Sequence, residues 1–268
     1  MAESVPRIPQ AGGRLPPPQA GGRLPRIGDA AKTAWIDLYR AFAALTGVWP
    51  IALAISVALS LVPTVLTGPG PHGAGAQIVS FLTSVADAFF LTPFIIAVHR
   101  FIIRDEIAPR YRLRPREPRF QKFFGWSLIL LASTSVLEIF PLFVSLLAAR
   151  GGAAPIIFIV GFIFTFVVLL TWAWLRLSIL FPAIAVDAPR ANWRSVMADT
   201  RGCAWQIFLI MLLASLPFVV LAILFVATGV GRETVAIDVI GAVLGLPWTT
   251  LWVVIASRLY QRLGYRVN

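Results

Sequence analysis

Residues 171–205, TWAWLRLSILFPAIAVDAPRANWRSVMADTRGCAW, decide the fold. The stretch opens on the end of a long apolar run with one arginine, Arg176, set in it. It breaks at Asp187-Ala188-Pro189, mixes basic and apolar residues, and closes where another apolar run starts at Ala204. That order describes a chain leaving a bilayer, lying along its surface and re-entering it. The surface segment is predicted as a helix with Pro189 near its first position, where the missing N–H is no loss. Trp193, Val196, Met197 and Thr200 share one face, Arg190, Arg194 and Arg201 share another, and Gly202 ends it.

Working outward, six apolar runs are predicted as transmembrane helices: 46–67, 77–102, 123–149, 155–181, 204–228 and 235–259. Each exceeds the roughly 20 residues needed to cross a hydrocarbon layer about 30 Å thick. Helices keep every backbone group bonded there, and prolines such as Pro63, Pro93, Pro141, Pro217 and Pro247 are tolerated as kinks. The composition agrees. The 268 residues are 58% hydrophobic and 13% charged, with a mean hydropathy of +0.82, against roughly 45–50% and about 25% for soluble domains. A net charge of +11 would suit nucleic acid, but the basic residues are confined to the connections, and nucleic acid is excluded as a partner on that ground. Cys203 is the one cysteine, so no intrachain disulfide exists.

Those connections set the orientation. Every lysine and arginine except Arg150 and Arg232 lies before the first run, between runs two and three, around the link between runs four and five, or at and after the end of run six. The positive-inside rule then places both termini in the cytoplasm, which an even number of spans requires. The short outer connections make three helical hairpins. A polar residue shortly before a proline (Ser60/Pro63, Glu138/Pro141, Ser215/Pro217) and an arginine near each descending end (Arg100, Arg176, Arg258) suggest a weak threefold repeat. Residues 1–28 contain QAGGRLP twice and too much Pro and Gly to build a core, so they are predicted as a disordered tail. Residues 29–43, with Trp35, Leu38, Tyr39 and Phe42 at helical spacing, are predicted as an interfacial amphipathic helix, and 29–265 as the membrane domain.

Asp87 and Glu138 sit near the middles of their runs, where a charge costs at least about 2.5–3.5 kcal/mol. Two readings stand: a polar pathway or proton site, or hydrogen bonds to Ser80, Thr83, Ser133 or Thr134 that hold the bundle together. Arg176 completes this candidate polar site, either reaching toward Glu138 or snorkelling inward. The candidate headgroup contacts are Arg112, Arg114, Arg190, Arg194 and Arg201. Gly241 and Gly245 form a GxxxG step that permits close helix approach, and Asp238 is expected in solvent. His72 and His99 have no metal-binding spacing. No GxSxG, P-loop, HExxH or CxxC motif occurs, and no enzyme activity, metal or cofactor is expected.

The residues Leu175-Arg176-Leu177-Ser178, Phe181 to Asp187, Trp193-Arg194 and Thr200-Arg201-Gly202 resemble a bacterial family of uncharacterised six-helix membrane proteins. That family includes YciC-like proteins and the membrane domain attached to some glycerophosphodiester phosphodiesterases. Arg258-Leu259-Tyr260-Gln261-Arg262-Leu263 resembles the family's closing R-x-Y-x-x-L segment. The resemblance implies an inner-membrane six-helix bundle without catalytic residues of its own. Phe101 follows His99-Arg100 where the phosphodiesterase metal motif has glycine.

The expectation is therefore an all-α, non-enzymatic integral membrane protein of the bacterial inner membrane. Its basic cytoplasmic face would bind anionic headgroups, a membrane protein partner or a second copy. The alternative is a small transporter or channel using Asp87 and Glu138.

Overall fold

The structure, a computed structural model, describes residues 25–68, 74–148, 153–227 and 234–264. Among these residues it is helical, with no strand. In chain order the helices are α1 (Ile27–Ala44), α2 (Trp49–Thr67), α3 (Ala74–Arg104), α4 (Pro118–Ala148), α5 (Ala153–Leu177), α6 (Leu180–Ala185), α7 (Trp193–Asp199), α8 (Ala204–Ala227) and α9 (Thr234–Leu263). Among the described residues five stretches are long and apolar enough to cross a membrane: Trp49–Thr67, Gly75–Arg104, Val160–Ala185, Ala204–Phe225 and Val235–Leu263. The chain is thus a multi-pass helical membrane protein. The tail segment 1–24 and His72 lie outside the described residues.

Local chemistry explains where the helices begin and end. Pro50 stands in the first turn of α2, where its missing N–H is harmless. Gly68, at φ +67°, closes that helix in a conformation open to glycine. Pro63, Pro93, Pro217 and Pro247 lie inside α2, α3, α8 and α9. The fourth apolar run breaks after Leu177, and Pro182 falls in the separate short α6. The surface helix starts later than the proline suggested. Residues 188–192 form turns, and Asn192 caps α7 by accepting the Ser195 N–H at 2.9 Å.

Packing is uneven along the bundle. At the arginine-rich end, α1 lies against α8 and α9. Ala31, Ala34, Asp37, Leu38 and Ala41 form its buried face, so the helix is docked on the bundle. Tyr39, expected on the apolar face, is 77% exposed. Trp35 stacks on Phe218 at 5.4 Å and donates to the Ala214 carbonyl. Helix α9 touches α1, α2, α3, α6 and α8 and is the hub of the fold. Away from that end many apolar side chains face outward, among them Val65, Ile78, Phe162, Phe164 and Ile223. In water such a surface is a liability; in hydrocarbon it is the solvated face.

Candidate functional site

Three cavities hold the polar groups of interest. The first is a basic cleft of about 690 Å³ at the arginine-rich end, between α3 and the connection 105–117. Asp105, at φ +53°, ends α3. The connection then crosses Gly47, where a side chain would put its Cβ 2.3 Å from the Pro109 carbonyl oxygen. Tyr111 anchors it twice, donating its N–H to the Gly47 carbonyl at 3.3 Å and its hydroxyl to the Phe90 carbonyl at 2.6 Å. Burial pushes the Tyr111 phenol above its ordinary pKa. Because Tyr111 turns inward, its neighbours Arg110 and Arg112 turn out to solvent.

Other arginines of the cleft are paired. Arg119 grips Asp187 through two bonds of 2.9 and 2.5 Å. Arg100 bonds Glu106 and lies 3.8 Å from Asp187, and Arg114 pairs with Glu117 at 2.8 Å. Among the described residues Arg110 and Arg112 have neither an ion pair nor a hydrogen bond. Of the predicted headgroup contacts, Arg112 and Arg114 therefore line one cleft, and Arg110 belongs with them. Arg190, Arg194 and Arg201 are exposed on the α6–α8 link and do not line it. Arg194 stacks over Trp193 at 5.4 Å.

The second cavity, of about 760 Å³, lies between α2, α3, α4 and α9. Its wall carries Asp87 and Asp238 with Ser56, Ser60, Ser80, Thr83 and Ser84. Asp87 accepts from Ser56 at 2.7 Å, whereas the predicted partner Thr83 bonds carbonyls of its own helix. Asp238, expected in solvent, accepts from Thr64 across the α2–α9 contact. Gly241 and Gly245 also face this cavity, and a Cβ on either would meet nothing within 4 Å. Within the chain no atom approaches the GxxxG step closely, because the glycines border open space between helices. Glu138 lies on α4, and its side chain falls outside the described residues. Arg176 is directed elsewhere. Its guanidinium donates to the Met197 carbonyl and to Thr200 and covers the Trp172 ring at 4.6 Å, fastening α5 to the end of α7.

The third cavity, of about 570 Å³, is an aromatic chamber between α3, α4, α5, α8 and α9. It shares Ile95, Ser127, Leu131, Gly245 and Thr249 with the second cavity. Trp174, Trp248, Trp252, Phe123 and Phe181 line it. His99, buried in its wall, bonds Ser257 through Nδ1 at 2.7 Å. The Ser257 proton goes to the Val253 carbonyl, so in the neutral ring Nδ1 is the donor. Trp174 Nε1 is the one buried side-chain nitrogen or oxygen without a partner among the described residues. Leaving such a donor unpaired costs about 1–3 kcal/mol.

Sequence reasoning missed the Asp37–Arg258 pair, bonded at 2.6 and 2.9 Å with Asp37 only 2% exposed. The apolar neighbours of Asp37 on α1 were the available signal. No group of three or more His, Cys, Asp or Glu side chains is placed to hold a metal among the described residues. No family model matches the chain, and no curated protein or solved structure matches it.

Proposed function

We propose that this is a non-enzymatic protein of a bacterial inner membrane whose cytoplasmic cleft holds the phosphate of an anionic lipid. In this reading α4 is a sixth span, since 31 residues reach about 46 Å, and both termini are cytoplasmic. The observation that carries it is the pair of unpartnered guanidinium groups, Arg110 and Arg112, held beside a basic cleft by the Tyr111 anchor. Guanidinium forks suit phosphate oxygens, and a fixed backbone spares the ordering cost of a flexible loop. A relationship to the YciC-like six-helix family rests on the two resembling stretches alone.

The test is lipid enrichment in nanodiscs made from mixed phosphatidylglycerol and phosphatidylcholine. Arg110→Gln with Arg112→Gln should cut phosphatidylglycerol retention several-fold, while Arg190→Gln with Arg194→Gln should have little effect. Equal losses from both pairs would leave only diffuse surface charge and overturn the cleft reading.

One observation favours a second reading, a small cation- or proton-coupled transporter: the hydroxyl-lined cavity that reaches Asp87 and Asp238. Asp87→Asn would then abolish a pH-dependent flux in liposomes while leaving the protein folded. Unchanged flux, or none in the wild type, removes this reading.

A further inference from the structure

We infer that the cavity between α2, α3, α4 and α9 binds an amphipathic amine, its ammonium group held at Asp87 and Asp238 and its apolar body against the remaining wall. The inference rests on the cavity of the transporter reading above and names what that cavity takes up. Asp87 on α3 and Asp238 on α9 both line the space, and among the described residues no Lys, Arg or His lines it with them. Each carboxylate is half satisfied. Asp87 accepts from Ser56 on Oδ1, and Asp238 accepts from Thr64 on Oδ2. Asp87 Oδ2 and Asp238 Oδ1 have no hydrogen-bond partner among the described residues. Neither atom is enclosed, because Trp174 Nε1 is the one enclosed side-chain nitrogen or oxygen left unpartnered there. A carboxylate withdrawn from water without a counter-charge is costly, and a bound cation supplies that charge.

The hydroxyls of the wall make the same selection. Ser60, Thr83, Ser84 and Ser127 donate to carbonyls of their own helices at 2.9–3.0 Å, and the Ser56 proton goes to Asp87. These five oxygens have only lone pairs to offer a ligand. Ser80 and Thr249 keep an uncommitted hydroxyl, which accepts as readily as it donates. The wall therefore presents acceptors and negative charge. Its complement is an ammonium group, which has three N–H donors and no lone pair. Size excludes a bare ion as the best fit. The volume of about 760 Å³ falls in the roughly 300–1,000 Å³ range of small-molecule sites. The rest of the wall is apolar, with Leu59, Leu91, Leu131 and Leu246. The aromatic chamber adjoins along Ile95, Leu131 and Gly245. A Cβ at Gly245 would meet no atom within 4 Å, so an apolar body seated at the carboxylates has room to extend past it.

The experiment titrates phenylbutylammonium into the full chain in maltoside detergent and reads the Kd by calorimetry. Phenylbutanol keeps the body and loses the charge; butylammonium keeps the charge and loses the ring. Wild type should bind phenylbutylammonium saturably and at least about tenfold tighter than either of the other two. Asp87→Asn and Asp238→Asn keep the shape of each side chain and an oxygen for Ser56 or Thr64, and remove the charge. Each should raise the phenylbutylammonium Kd about tenfold, the size of one charge-assisted hydrogen bond. Neither should change the affinity for phenylbutanol. Asp29→Asn, at an exposed carboxylate on α1, should leave the Kd within about twofold. A wild-type Kd in both Asp87→Asn and Asp238→Asn overturns the inference, as does phenylbutanol binding as tightly as the amine. The comparison of ligands on wild type decides the matter even if a variant fails to fold. Liposome flux separates this inference from the reading it rests on. Amine binding without flux removes transport and supports the site. Proton or sodium flux through a protein that binds no amine keeps the transporter and overturns the inference.

Discussion

At the arginine-rich end, helices distant in sequence are joined by specific polar bonds: Asp37 to Arg258, His99 to Ser257, Arg119 to Asp187, Gln261 to the Ile102 carbonyl. Among the described residues the middle and opposite end have fewer such links: Trp252 to Ser215 and, around a cavity, Ser56 to Asp87 and Thr64 to Asp238. The difference follows from the solvent. Lipid tails are as apolar as leucine, so apolar area gives membrane helices little reason to associate, and packing and polar bonds must hold them. This chain concentrates those bonds where water begins and leaves room elsewhere, which is where a ligand or ion finds space.

If that contrast is right, mutations should rank by position. Asp37→Ala removes the partner of Arg258 and should destabilise most, by about 2–3 kcal/mol. That lies between the values for exposed and buried pairs because Arg258 is 39% exposed. Thermal unfolding in detergent checks it, and a loss below that of any cavity mutation breaks the contrast. Gly47→Ala forces a Cβ against the Pro109 carbonyl and should cost about 1–2 kcal/mol, with new proteolysis in 105–117. Thr64→Val, in the looser region, should cost only about 1 kcal/mol by stripping one bond from Asp238. Gly241→Ala, the same chemical change as at Gly47, should be neutral or stabilising by up to about 1 kcal/mol, because its Cβ meets open space and alanine favours the helix.

The smallest expected effect is pH-dependent. The folded Tyr111 phenol ionises above its unfolded value, so its contribution is fully present below a pH of about 10 and fades as pH rises through the folded pKa. Proteolysis of 105–117 should therefore increase at strongly alkaline pH in the wild type. In Tyr111→Phe it should already be elevated at neutral pH and rise less.

Helices and their polar ends were legible in the sequence because apolar run length and arginine placement are local properties. The contacts were not. Nothing at Asp37 names a partner 221 residues away. The GxxxG spacing states that two glycines share a helix face, not whether that face meets a helix or a cavity. Pro189 drew the predicted helix start too early because Asn192, the residue with the capping oxygen, stands three positions on. Arg112 and Arg114 were found by charge alone. Arg110 stood out only once Tyr111 was seen to turn inward between its neighbours.

Position 187 carries two demands at once. Its backbone is left-handed, at φ +54°, and its carboxylate receives Arg119 with Arg100 beside it. Glycine meets only the first demand, glutamate only the second, asparagine the first and half of the second, and valine neither. The amino-acid alphabet thus narrows there to nearly one letter. Saturation of this codon should leave a survival order of Asp, then Asn, then Gly, with β-branched residues last.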